Sequence, residues 1–122
     1  MMMKLRRTCT TCPNYTITLT GDGLLTYEGG ERALVQGVHK SYIDTELATA
    51  LFNEFVQSEF LEMDNTYPAP GEDHMGVALF VETAGLSKGV FSEERYGPAL
   101  RQELERKMDD LPGMRALSGW TH

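Results

Sequence analysis

The chain has 122 residues, 41% of them hydrophobic and 24% charged, with a formal net charge of −7. That length suits one domain spanning 1–122, and the balance of apolar and charged residues is that of a folded chain, not a disordered one. No apolar run approaches the roughly 20 residues of a membrane span, so no membrane role is expected, and the acidic excess disfavours a phosphate backbone as partner.

The opening Met1-Met2-Met3-Lys4-Leu5-Arg6-Arg7 is basic but has no apolar stretch behind it, which is not the pattern of a secretory signal. A cytoplasmic location is expected. There Cys9 and Cys12 are expected as free thiols, not as a permanent disulfide. Charge is unevenly distributed: nine acids and no lysine or arginine lie between Asp44 and Glu82.

In chain order, Met3–Thr8 is short and basic and reads as an additional strand at a sheet edge. Tyr15, Ile17 and Leu19 alternate with Thr16, Thr18 and Thr20, the period-2 pattern of a half-buried strand. Gly21-Asp22-Gly23 suits a hairpin turn and explains itself without calcium, whose other loop ligands are missing. A second strand follows at Leu24–Glu28, with Leu25 and Tyr27 on one face; Gly29-Gly30 turns the chain, and Ala33–Lys40 reads as a third strand. Asp44 is a good helix N-cap, ahead of an apolar stripe of Leu47, Leu51, Phe52, Phe55 and Val56. Phe60, Leu61 and Met63 are expected to tuck under the sheet, and Asp64–His74 forms a loop containing Pro68, Pro70 and Gly71.

Met75–Thr83 carries Met75, Val77, Leu79 and Val81 on one face and Ala78 and Phe80 on the other, which predicts a central strand. Ala84-Gly85 turns into Leu86–Ser92. Pro98 opens a final helix with the core face Leu100, Leu104, Met108 and Leu111; Pro112-Gly113 stops it, and Trp120 folds back as a late anchor. Adjacent strands joined by tight turns imply antiparallel pairing. The expected fold is α+β: an antiparallel sheet of about five to six strands with two helices packed on one face, in the order strands, helix, two strands, helix.

Arg7, Cys9, Cys12, Pro13, Tyr15, Gly23, Tyr27 and Gly29 stand in an order that resembles a bacterial family of uncharacterised domains, domain of unknown function 6438. Its members open with basic residues and two closely spaced cysteines, the second followed by Pro-x-Tyr, then a strand, a glycine turn and Tyr-x-Gly. Further matches fall at Gly37, the helix of Leu51 and Phe55, Tyr67, Asp73, the Pro98–Leu100 helix start and Trp120. Relatives place three residues between the cysteines, whereas Thr10 and Thr11 are the two here. The resemblance implies the fold and brings no activity with it.

Three chemistries compete. A thiol redox enzyme would use Cys9 as nucleophile and Cys12 as resolving thiol. In such proteins the first cysteine sits at a helix N-terminus, whereas Pro13-Asn14 leads here into a strand, leaving Arg6 and Arg7 as the nearby positive charge. A metal site would have to combine Cys9 and Cys12 with His39 and His74, and with Asp73, from distant segments; no second ligand pair is present, and no cofactor is expected. His39 reads as a strand surface residue, while His74 ends the acidic loop beside Glu72 and Asp73. The adjacent acids Glu72-Asp73, Glu93-Glu94 and Asp109-Asp110 diverge on any regular backbone, and no nucleophile elbow, phosphate loop or dinucleotide fingerprint occurs.

The expected function is therefore a non-enzymatic binding domain that recognises a basic protein partner. Its surface would comprise Glu54, Glu59, Glu62, Asp64, Tyr67, Glu72, Asp73 and His74. A small-molecule pocket lined by Tyr15, Tyr27 and Phe55 is the other binding alternative. The expected assembly is a monomer or a homodimer, the dimer pairing through Met3–Thr8 or Leu86–Ser92 as an open sheet edge.

Overall fold

Alternation of apolar and polar residues builds most of the molecule. The computed structural model describes residues 1–67, 76–93 and 97–120. Its strands are β1 (Met2–Thr8), β2 (Tyr15–Thr20), β3 (Leu24–Gly29), β4 (Gly37–Tyr42), β5 (Thr66–Tyr67), β6 (Gly76–Thr83) and β7 (Leu86–Glu93). The helices are α1 (Thr45–Gln57), α2 (Ala99–Asp109) and α3 (Met114–Ser118), with a 3₁₀ turn at Glu59–Glu62. The strands form a single sheet ordered β4-β3-β2-β1-β6-β7-β5. Pairing is antiparallel except between β5 and β7, which run parallel.

The α+β class stands, with two corrections. The described sheet is mixed and has seven strands instead of five or six, and the described residues form three α-helices instead of two. The extra strand, β5, is two residues long, too short for a period-2 pattern to reveal. The extra helix, α3, is a five-residue turn between Gly113 and Gly119, both at positive φ. Pro112-Gly113 therefore separates two helices and does not end the last one.

Register explains where the core lies. One cross-strand row runs His39, Tyr27, Ile17, Leu5, Leu79, Val90, and all but His39 are buried. The next row, Lys40, Thr26, Thr18, Lys4, Phe80, Gly89, faces the other way and stays open. Helices cover the first face, with α1 against β6, α2 against β1 and α3 against β3. Each large apolar side chain buried there contributes about 1.5–3 kcal/mol. On the open face the Phe80 ring lies across Gly89, where a Cβ would come within 2.8 Å of it.

Of the two expected edges, β1 is interior and β7 is paired on its outer side only at its end. β1 lies between β2 and β6, because its inner face carries Met3, Leu5 and Arg7, all buried, while Lys4 and Arg6 alternate outward. Leu86–Ser92 lies within β7, between β6 and β5. The outer strands are β4 and β5, so β1 offers no edge for a homodimer, whereas β5 pairs with β7 at Phe91 and Ser92 alone. The third strand also starts later than expected, at Gly37 instead of Ala33. The backbone of the preceding residues is held elsewhere: Leu34 N–H donates to Ser118 O at 3.1 Å and Val35 N–H to Leu117 O at 2.8 Å. The Tyr27 hydroxyl ties both segments together, bonding Val35 O at 2.7 Å and Leu117 O at 3.1 Å.

Other local expectations hold. Asp44 caps α1, accepting from Glu46 N–H at 2.9 Å. Phe60 and Met63 are buried, and Phe60 meets Phe55 edge-on with ring centroids 5.0 Å apart. β6 is interior. In the Gly21–Gly23 turn the Asp22 carboxylate accepts from the Thr20 hydroxyl and from Leu24 N–H, which holds its pKa below the usual value. Pro98 occupies the N-cap of α2, one residue before the helix begins. The α1 stripe is shifted: Ala48, Leu51 and Phe55 are buried, whereas Leu47 is 45% exposed. Among the described residues no helix is long and apolar enough to cross a membrane.

Candidate functional site

Several of the residues that carry the family resemblance, Arg7, Cys9, Cys12, Tyr15 and Trp120, meet at one end of β1. The first feature there corrects an expectation. Cys9 and Cys12 are joined as a disulfide, with Cα atoms 5.4 Å apart, and are not free thiols. The turn between them is shaped by Asn14. Its Oδ1 accepts from Cys9 N–H at 2.8 Å, and its Nδ2 donates to Cys9 O at 2.9 Å and Cys12 O at 3.0 Å. Arg32 closes the turn from outside, donating from Nη2 to Cys9 O at 2.7 Å and from Nε to Cys12 O at 3.2 Å. Arg32 has a φ of 65°, a conformation non-glycine residues rarely adopt, and these two bonds help to hold it there.

Two residues before Cys9, Arg7 points inward from β1 and is buried. Its Nη2 contacts Glu105 and reaches Asp109 at 3.1 Å, both on α2. Arg101, one turn before Glu105 on the same helix, pairs with the other Glu105 oxygen. Two cations thus face two anions in a dry setting, all four side chains almost wholly buried. Tyr15 on β2 adds its hydroxyl, donating to Asp109 Oδ1 at 2.5 Å and accepting from Arg7 Nε at 3.1 Å. Trp120 closes the cluster, its ring 3.6 Å from the Arg7 guanidinium carbon. Trp120 does fold back as an anchor, and the charge it covers is what the sequence did not disclose.

Burial is the main cause that pushes the Tyr15 phenol far above its usual range; Asp109 adds to the shift and Arg7 opposes it. A group whose folded pKa is raised stabilises the fold below its unfolded pKa and loses that contribution as pH rises further. Stability is therefore expected to fall above about pH 10, the unfolded phenol value. Tyr15→Phe should flatten that alkaline loss, while itself lowering stability near neutrality by about 1–2 kcal/mol through the lost hydrogen bond to Asp109. Urea unfolding from pH 8 to 11 measures both effects.

The sequence-predicted acidic surface is only partly assembled. Glu54 on α1 is exposed and pairs with Lys107 of α2 at 2.8 Å. Glu59 and Glu62 in the 3₁₀ turn and Asp64 beyond it are exposed, and none forms an ion pair among the described residues. Tyr67 is half-buried on β5, its hydroxyl accepting from Asp64 N–H at 2.9 Å. Lys88 of β7 donates to Met63 O and, at 3.0 Å, to Asn65 Oδ1, which holds this segment against the sheet. Glu72, Asp73 and His74 lie outside the described residues.

Beside Glu54 runs a groove of about 240 Å³ between α1 and the end of α2. Leu47, Ala50, Leu51, Leu111 and Pro112 supply apolar walls, and Glu54, Lys107 and Asp110 the polar ones. Asp110 is held by Arg115 at 2.6 Å. Of the residues considered for a metal site, Asp73 and His74 lie outside the described residues. The two cysteine sulfurs are bonded to each other, and His39 lies on β4, three strands across the sheet from β1. Among the described residues no group of three or more His, Cys, Asp or Glu side chains is placed to hold a metal. Tyr15, Tyr27 and Phe55 are buried within the packed core, and Tyr15 also borders a cleft of about 430 Å³ with Arg7, Thr16 and Gly29.

The cluster residues Arg101, Glu105 and Asp109 were missed because the final helix was read only for its apolar positions. They recur every four residues, as a charged stripe beside Leu104, Met108 and Leu111. Adjacent acids do diverge as expected: Asp109 is buried and Asp110 is exposed. No curated protein matches the sequence. The sequence profile described as "Domain of unknown function (DUF6438)" matches residues 4–112, and the chain belongs to that family.

Proposed function

We propose that the domain is a cytoplasmic, non-enzymatic recognition module that docks a basic amphipathic segment of a partner protein against α1 and α2. The observation that carries this reading is the exposure of Leu47, 45% of its surface, at the head of the groove between those helices. A helix that leaves a leucine uncovered beside an apolar groove has surface left to bury. Charge supplies the complementarity: Glu46, Glu59, Glu62 and Asp64 are exposed on the same stretch of chain without ion-pair partners among the described residues. A basic, leucine-bearing helix fits such a surface better than an acidic or uniformly apolar one. The buried Arg7 cluster is enclosed and internally neutralised, which suits a structural role.

A synthetic amphipathic helix with leucines on one face and lysines and arginines on the other is the probe. Fluorescence anisotropy should register binding that weakens as salt rises, since screening acts over about 8–10 Å. Glu46→Lys with Glu54→Lys should weaken binding by about tenfold or more, roughly 1.4 kcal/mol, and Leu47→Asp should do the same. Arg6→Glu, on the open face of the sheet, should leave affinity unchanged. Binding indifferent to both salt and these reversals would overturn the reading.

A further inference from the structure

The Cys9–Cys12 turn has a property that the recognition reading does not use. A ring closed over only two intervening residues removes little entropy from the unfolded chain. The turn is also secured without it, by the Asn14 and Arg32 side chains and by Asn14 N–H donating to Glu31 O at 2.9 Å. A bond so redundant for holding the turn retains its chemistry. When it opens, those same hydrogen bonds keep the two sulfurs close enough to re-form it.

The two sulfurs are not equivalent. Cys9 is 8% exposed, and its Sγ accepts the Cys12 backbone N–H at 3.1 Å. The Arg32 guanidinium stands against the Cys9 carbonyl, bringing positive charge to the same turn. Donor and charge both favour a thiolate at Cys9. Cys12 packs only partly against the core and is the less buried residue of the two, the side from which a group can approach. In thiol–disulfide exchange the accessible sulfur is attacked and the better-stabilised thiolate leaves.

We propose that Cys9–Cys12 is an exchangeable redox site entered through Cys12, with Cys9 as leaving thiolate, whose reaction partner is a dithiol. One thiolate of the dithiol attacks Cys12 Sγ, the Cys9–Cys12 bond breaks, and its electron pair goes to Cys9. The second thiol of the partner, deprotonated, then attacks the partner sulfur of the mixed disulfide. The partner leaves as a disulfide, and Cys12 departs as a thiolate that takes up a proton. Two electrons pass from partner to protein, and the reverse sequence reduces a partner disulfide while re-forming the Cys9–Cys12 bond. This polarity is opposite to the one expected from sequence, where Cys9 was the nucleophile.

The test uses the full chain with dithiothreitol as the dithiol. Native protein should be reduced without denaturant, keep its far-ultraviolet circular dichroism, and lose no more than about 5 °C in Tm. To locate the attacked sulfur, oxidised protein is exposed to excess 2-mercaptoethanol, acid-quenched and peptide-mapped; the adduct should sit on Cys12. In parallel, the Cys12 thiol of Cys9→Ser should react with an aromatic disulfide reagent at least about tenfold faster than the Cys9 thiol of Cys12→Ser. The adduct map needs no variant, so it decides the matter even if either substitution fails to fold. Reduction that requires unfolding, an adduct on Cys9, or a reversed order of thiol rates would each overturn the proposal.

Discussion

Arg7→Leu is expected to lower the free energy of unfolding by about 3–5 kcal/mol, the range for removing one partner from a buried charge network. The substitution keeps an apolar stem beneath Trp120 but leaves Glu105 and Asp109 facing one cation, Arg101, in place of two. It also strips Tyr15 of the donor at its hydroxyl. The cost is dominated by removing a guanidinium from buried carboxylates; attraction between exposed charges is worth under about 1 kcal/mol. Arg7→Lys should fall between the two, since a single ammonium cannot span Tyr15 and both carboxylates as the guanidinium does. Urea denaturation read by circular dichroism gives the numbers. A loss below about 1 kcal/mol for Arg7→Leu would mean that the cluster is hydrated, contrary to the burial described here.

Trp120→Ala should cost a comparable amount, about 3–5 kcal/mol, the range for deleting a large buried aromatic. Its ring lies 3.6 Å from the Arg7 guanidinium carbon, and its backbone N–H donates to Ser118 Oγ at 3.1 Å. Removing the ring opens a cavity, admits water to the four charges and loosens α3, whose Leu117 and Ser118 carbonyls hold Leu34 and Val35. Trp120→Phe should recover part of the loss, because a smaller aromatic face still covers the cation. The two sites share partners, so Arg7→Leu and Trp120→Ala combined should cost less than the sum of the singles.

What the sequence disclosed follows from which signals are local. Tyr15, Ile17 and Leu19 announce their strand because alternation needs no knowledge of the partner, and Asp44 announces a helix start because its bond to Glu46 N–H is formed two residues away. Strand position in the sheet is not local. Lys4 and Arg6 made β1 look like an edge, although a central strand with one open face has room for both. The fusion of charge and core was harder still. Arg7 and Glu105 are 98 residues apart, and a charged stripe on α2 looks like a solvated face until Arg7 arrives opposite it. The disulfide was not legible because the turn geometry that brings the sulfurs together depends on Asn14 and on Arg32, twenty residues beyond Cys12.

The recognition surface was half legible. Glu54 and the acids of the 3₁₀ turn could be named from charge alone, but the groove could not. It arises because the α1 stripe is rotated so that Ala48, not Leu47, enters the core. Backbone amide chemical-shift mapping with the basic amphipathic helix tests this most directly. The account predicts the largest changes at Leu47, Ala50, Leu51 and Glu54 of α1 and at Lys107 and Leu111 across the groove. Changes confined to the open sheet face around Lys4, Arg6 and Thr16, or none at all, would contradict it.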